Sequence, residues 1–433
     1  MNRMSRRARA TGPGAFSPAP PQTPVRGYPP VPRPGRLVRW ALYGFVFSLP
    51  FDVPGRLPLE LTTLTGAAFL AITLLQPRVC YGRRPAALWW FLGYVYAYWL
   101  AYVLGGARFT TDGLRSSLFY IQALFIFCAC YNLMRHEGVA RRVLLTLMVA
   151  AAILAVMTIF GLGKLADSDT ERATVFGQNA NRAALVLCAG LLAAIGLVFG
   201  RARAALRPGW IAWPIAAMIG LALIMGGSRG GLLALAAGLW AFSLSGKTFG
   251  IRLRNNIVAL LAIGLAAWGA LQSPMMQRRI QLAAQGNLAG RQEIFPAAFQ
   301  LFKNRPLTGW GPSNQYMLAV RLGLPTQLHL TRDTHNLFLE VLTSTGLAGA
   351  IPFLTGLGLV CWGAWKARRG MEGILPAAQM VALLAGNLSG NYIVLKLQWV
   401  LLAYAMASWT FLTPHPRAPA TPSRSSARRQ RWG

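Results

Sequence analysis

The chain has 433 residues, 55% of them hydrophobic and only 12% charged, with a mean hydropathy of +0.42. Soluble domains carry roughly 25% charged residues, so a chain this poor in them cannot cover a water-facing surface. The net charge of +32 would suit nucleic acid, but the basic residues sit in short clusters between apolar runs and not on one face, which argues against that partner.

Residues 1–36 are rich in Pro and Arg, with no acidic residue and no early apolar run. That composition predicts a disordered cytoplasmic tail and not a secretory signal peptide, whose apolar core would follow the basic start directly. An Arg-rich, acid-poor start also describes a mitochondrial presequence, but the proline density prevents the amphipathic helix such a segment needs. Residues 413–433, with Arg417, Arg424, Arg428, Arg429 and Arg431, read as a second disordered tail.

A membrane span needs ~20 mostly apolar residues, and by that measure the region 37–412 predicts about twelve. They fall near 37–53, 57–76, 86–104, 114–134, 140–161, 181–199, 209–226, 229–245, 255–272, 334–364, 374–393 and 396–412. The first is interrupted at Pro50 and Pro54. The tenth is longer than a span needs, so its first part is expected to project or tilt.

Alternate connections carry basic triplets: Arg78, Arg83 and Arg84; Arg135, Arg141 and Arg142; Arg201, Arg203 and Arg207; Lys247, Arg252 and Arg254; Lys366, Arg368 and Arg369. All fall on the side of the two basic tails, which the positive-inside rule makes cytoplasmic. The expected architecture is an all-α polytopic membrane protein. On the opposite side lie 162–180, the turn Gly226-Gly227-Ser228-Arg229-Gly230-Gly231 and a long loop, 273–333, rich in Arg and Lys. A basic external loop suits an anionic substrate at the outer face.

The five cysteines show no metal-ligand spacing and sit mostly in apolar runs, where Cys acts as a small hydrophobe. No HExxH is present, and the acidic patch Asp167-Ser168-Asp169-Thr170-Glu171, although it contains a D-x-D, reads as a solvated loop. The expectation is therefore chemistry without a metal or other cofactor. His136 and His415 fall on the cytoplasmic side, and His329 has no motif around it. The aromatic run Trp89, Trp90, Tyr94, Tyr96, Tyr98 and Trp99 reads first as interface anchors.

Arg229 sits in a turn at the outer surface, where an arginine is usually paired or functional. Its guanidinium could bind a diphosphate bidentately, with the flanking glycines allowing close approach; the alternative is an interfacial arginine that snorkels to water. Arg182, in Gly-Gln-Asn-Ala-Asn-Arg, and Arg291, in Gly-Arg-Gln-Glu-Ile-Phe, lie on the same side. Arg291 could instead pair with Glu293. His335 opens the tenth span; a neutral imidazole there can accept a proton from a sugar hydroxyl, or simply cap a helix. Asn336 could orient the imidazole or the acceptor, and Arg332 and Asp333 stand beside them. Gly346 and Gly349, one turn apart, are expected to permit close helix packing.

His335 and Asn336 precede Gly346 and Gly349 in the pattern H-N-x9-G-x-x-G. This resembles the signature of the O-antigen ligase family, in which His followed by Asn, Ser or Gln precedes G-x-x-G by nine residues. The resemblance implies an inner-membrane glycosyltransferase with a periplasmic active site. Its donor would be O-antigen on undecaprenyl diphosphate, and its acceptor a sugar hydroxyl of lipid A–core oligosaccharide. It also implies that arginines such as Arg229, Arg182 and Arg291 face the lipid-linked donor. The wider superfamily includes O-antigen polymerases and protein O-oligosaccharyltransferases, which remain alternatives. A lipid-linked glycan transporter is a further one, although it would be expected to carry ionisable residues deep in mid-span. Membrane lipids are expected partners throughout.

Overall fold

The computed structural model describes residues 33–51, 60–104, 111–163, 175, 178–199, 211–245, 248–286, 290–324, 332–368 and 373–412. Residues 1–32 of the first tail, the second tail, the acidic patch, His329, Arg201, Arg203, Arg207, Lys247 and Arg369 lie outside them. Among the described residues the chain is helical, without strands. The helices are α1 (Arg36–Ser48), α2 (Leu61–Thr73), α3 (Pro77–Cys80), α4 (Ala86–Leu104), α5 (Thr111–Met134), α6 (Glu137–Ile159), α7 (Ala180–Phe199) and α8 (Ala212–Met225). They continue with α9 (Arg229–Ser243), α10 (Phe249–Gln272), α11 (Pro274–Ala284), α12 (Arg291–Asn304), α13 (Asn314–Arg321), α14 (Leu337–Ala367), α15 (Leu375–Asn387) and α16 (Lys396–Ser408).

Every apolar run singled out above overlaps one of these helices. Among the described residues six helices, α4, α5, α6, α7, α10 and α14, are long and apolar enough to cross a membrane, fewer than the twelve expected, while α2, α8 and α15 are apolar but shorter. On α10 the side chains Leu261, Leu265 and Trp268 are more than half exposed. Water would penalise that stripe by about 25 cal/mol per Å² of apolar surface, whereas acyl chains would not.

The buried core is built where small residues let helices approach. Gly356 of α14 faces the Phe91 ring of α4. That ring in turn meets Phe127 of α5 at 5.4 Å, Trp399 of α16 at 5.4 Å and Phe353 of α14 at 5.8 Å between centroids. A second junction joins α9 to α7 and α15, with Gly238 against Leu192 and Ala382. Backbones brought this close gain dispersion contacts along their length, the usual source of cohesion between apolar helices.

The segment expected as a long loop is largely helical, comprising α11, α12, a 3₁₀ turn at Gly311–Ser313 and α13. Ile294, Ala298, Leu301 and Leu318 form a small core of their own, covered by Trp310 and by Leu339 of α14. The three- and four-residue spacing of those residues in α12 is what buries one face of it.

At Gly346 the helix α14 is broken, with φ 57° and ψ −158°. The turn after α12 enters the break: Leu347 N–H donates to the Pro306 carbonyl at 2.8 Å and Ala348 N–H to the Leu307 carbonyl at 3.0 Å. A Cβ at Gly346 would collide with the Leu307 backbone. The first glycine of the pair therefore admits a loop into a helix break and does not serve helix packing. Residues 347–367 alone are long enough to cross a ~30 Å hydrocarbon core at 1.5 Å rise per residue, so 337–345 are not needed for a span.

Candidate active site

The site forms where five short connections meet: the entry to α7, the turn before α9, the start of α12, the start of α14, and the link from α15 to α16. The turn before α9 is shaped by Gly227 at φ 60° and by Ser228, whose hydroxyl caps the helix by accepting from Gly231 N–H at 3.0 Å. The same hydroxyl donates to Asn181 Oδ1 at 2.8 Å, which ties the turn to the start of α7. Gly230 packs on Ser389 and Gly231 on Ala184. These glycines serve helix contact, leaving Arg229 as the part of the turn that offers a charge.

Arg229 Nη1 donates to the Arg279 carbonyl at 3.3 Å, and Arg279 Nη1 donates to the Gly227 carbonyl at 3.1 Å. Arg291, first residue of α12 behind a left-handed Gly290, donates from Nη2 to the Ser389 carbonyl at 2.7 Å. Its Nε is buried without a partner. Arg291 thus reaches the α15–α16 link and does not pair with Glu293, which is exposed. Neighbouring Asn391 is 3% exposed, and both polar atoms of its side chain also lack a partner. Buried polar atoms left unpaired cost free energy, so their clustering marks a place built for a polar ligand.

His335 sits in the turn ahead of α14 with φ 52°, a left-handed conformation rare for a residue with a Cβ. Its N–H donates to Asp333 Oδ1 at 3.0 Å, and its Nδ1 lies 3.8 Å from Asp333 Oδ2. Asn336 caps α14: its Oδ1 accepts from Phe338 N–H at 2.9 Å and Leu339 N–H at 3.0 Å, while its Nδ2 donates to the Leu388 carbonyl at 3.1 Å. Both ends of that amide are engaged in fixing the turn.

Burial lowers the His335 pKa below its usual value; Asp333 opposes this, and Arg332, Arg291 and Arg182 add to it. Arg229 likewise acts on Arg291, and Arg291 on Arg279, each on top of burial, which is the larger cause. The candidates Arg182, Arg229, Arg291, Arg332, Asp333, His335 and Asn336 are therefore brought together. None of the arginines among them, nor Arg279, is ion-paired with a described carboxylate. Guanidinium stays charged in proteins, so these like charges repel until an anion enters.

Arg279 was not distinguishable in sequence from the other basic residues of 273–333; only the fold selects it. A cleft opens beside Arg182, lined by Pro50, Gln178, Val186, Leu395 and Lys396 among others. Among the described residues no group of three or more His, Cys, Asp or Glu side chains is placed to hold a metal ion.

A helical membrane protein in which the connections between helices gather a histidine and a set of arginines without a described carboxylate partner is the class that fold and site define. The family model for O-antigen ligase matches residues 214–354, from α8 through the Gly346 break of α14. That stretch of the chain is similar to the O-antigen ligase family, and it holds Arg229, Arg279, Arg291, Arg332, Asp333 and His335, though not Arg182. Neither a curated protein nor a solved structure matches the chain significantly.

Proposed function

We propose that the protein is an inner-membrane glycosyltransferase that moves O-antigen polysaccharide from undecaprenyl diphosphate onto lipid A–core oligosaccharide. The observation that carries this reading is the set of guanidiniums without a described carboxylate partner, Arg182, Arg229, Arg279, Arg291 and Arg332, gathered about one histidine whose pKa is lowered by burial and by Arg332, Arg291 and Arg182. A diphosphate diester supplies the missing negative charge, and a sugar hydroxyl supplies the proton that the histidine can take.

In this mechanism His335 removes the proton of the acceptor hydroxyl. The oxygen attacks the anomeric carbon from the side opposite the diphosphate, the bond from that carbon to the diphosphate oxygen breaks, and the sugar inverts. The leaving group gains one negative charge as it departs. Arg229, Arg279 and Arg291 stabilise that charge in a setting already organised for it. The proton on His335 passes to solvent before the next cycle. Asp333 and Asn336 hold the turn, and Arg332 keeps the imidazole neutral in the resting site. Because arginines neutralise the leaving group, no metal is required. Apolar walls beside Arg182 offer the first isoprene units a place against the protein.

Orientation follows from the basic connections: about twelve spans, the tails 1–36 and 413–433 in the cytoplasm, and segment 273–333 in the periplasm. The test is an in vitro transfer with purified protein, undecaprenyl-diphosphate-linked O-antigen and rough lipopolysaccharide in EDTA, with products read on a gel. A ladder on the lipopolysaccharide is expected. No ladder from folded protein with verified substrates would reject this acceptor and favour glycan extension or transfer to protein hydroxyls.

A further inference from the structure

Glu340 is a buried carboxylate that the proposed mechanism does not use. It is 4% exposed and lies one turn into α14. Three side-chain donors converge on it: Asn314 Nδ2 at 2.9 Å and Gln315 Nε2 at 3.2 Å on Oε1, and Thr334 Oγ1 at 2.9 Å on Oε2. Two of these come from the start of α13 and one from the residue directly before His335.

Each donor leads to the site. The Gln315 carbonyl accepts from Arg332 N–H at 3.0 Å, so the anchor that holds Gln315 also holds the backbone of Arg332. Thr334 Oγ1 lies 3.0 Å from the Asn336 carbonyl, so it bridges Glu340 to the residue after the histidine as well. His335 itself is in a strained backbone conformation, which persists only where its surroundings over-determine it. Both neighbours of His335 are thus fixed by one carboxylate.

We propose that Glu340 is the positioning residue of the site: it fixes Thr334 and, through Gln315, Arg332, and so presents the His335 imidazole to the acceptor. The inference rests on the reading of His335 as the base. It assigns Glu340 a geometric part that does not depend on its charge. A glutamine can reproduce it: the amide oxygen accepts from Asn314 and Gln315, and the amide nitrogen donates to Thr334 Oγ1, whose own proton then goes to the Asn336 carbonyl.

The test compares Glu340→Gln, Glu340→Ala and Thr334→Val in full-length protein. Glu340→Gln is expected to keep kcat within about twofold. Glu340→Ala is expected to lose about 100-fold in kcat with little change in donor KM, the scale set by a misplacement of about 1 Å. Should Glu340→Ala fail to fold, Thr334→Val, which removes only the bridging hydroxyl, is expected to lower kcat about tenfold. A Glu340→Gln variant as inactive as Glu340→Ala would mean the charge is needed and overturn the inference, as would a fully active Glu340→Ala or, in its stead, Thr334→Val.

A second readout needs no substrate. The rate of His335 modification by diethyl pyrocarbonate, followed on the peptide by mass spectrometry across pH, is expected to change in Glu340→Ala and not in Glu340→Gln. That change in a protein that transfers no glycan would reject the functional reading and keep the positioning role. Transfer with an unchanged profile in every variant would do the reverse.

Discussion

Arg229 and Arg279 hold each other in place through the backbone, the first donating to the carbonyl of the second at 3.3 Å and the second to the carbonyl of Gly227 at 3.1 Å. Neither guanidinium spends all its donors this way, so each keeps N–H groups for a ligand. Loss of Arg279 removes one charge and releases the turn that aims another. Arg279→Ala is expected to raise the KM for lipid-linked donor by about 10- to 100-fold, the range for hydrogen bonds to charged groups. Arg279→Lys should recover little of it, since lysine lacks the planar fork. Titration of donor at saturating acceptor measures both.

The pH dependence follows from the charges around His335. Burial first, then Arg332, Arg291 and Arg182, lower its pKa, while Asp333 raises it. The imidazole is therefore neutral, and able to act as a base, down to a pH below the ordinary histidine range of about 6.5. Arg332→Gln removes a cation, so the pKa rises and the acid limb of kcat/KM moves to higher pH. Asp333→Asn removes the opposing anion and moves it to lower pH. His335→Ala should lower transfer by roughly 100- to 10,000-fold at every pH while leaving the thermal midpoint nearly unchanged.

The Arg182 side chain makes no hydrogen bond or ion pair with a described residue, yet its charge is felt at His335. Its removal costs no contact and relieves like-charge repulsion in the ligand-free protein. Arg182→Met is expected to raise stability by about 0.5–1 kcal/mol while lowering transfer, a trade common at sites tuned for a ligand. Thermal unfolding in detergent, run beside the transfer assay, reads both signs. Inorganic diphosphate should stabilise the wild type more than the variant.

Gly346→Ala is expected to destabilise the protein by at least about 2 kcal/mol, because its backbone region is almost closed to other residues. The added Cβ would also press on the Leu307 backbone, which cannot turn aside. At Gly349 the atoms nearest the new methyl belong to the side chain of Thr345 and not to backbone, so Gly349→Ala should cost less. Comparing the two midpoints tests whether the break, and not helix packing, is what the first glycine serves.

The helices were legible because apolar runs of span length, punctuated by basic clusters, leave few other solutions. Gln178 and Lys396 show what was not legible: they help line one cleft although they lie in distant parts of the chain. His335 and Arg229 stood out through motif and placement, which are local properties. Arg279 and Glu340 did not, because their significance lies in what folds against them: a carbonyl at Gly227 and three donors from two segments. The helices of 273–333 were missed since a segment rich in charge reads as loop, although Ile294, Ala298 and Leu301 carry a helical period within it. Gly346 and Gly349 were noticed for their spacing, but spacing does not disclose a left-handed backbone.

The break at Gly346 divides α14 into a part that answers to the lipid and a part that answers to the protein. Bilayers differ in thickness, and a span adapts by tilting, at a cost of fractions of a kcal/mol per Å. In an unbroken helix that tilt would carry the histidine turn with it. Here residues on both sides of the break are fastened to the 306–310 turn, Trp310 N–H donating to the Thr343 carbonyl at 2.9 Å and Leu347 N–H to the Pro306 carbonyl at 2.8 Å. In the proposed orientation the turn that carries His335 is thereby held by the segment bearing α12 and α13, so transfer is expected to vary little between bilayers of short and long acyl chains.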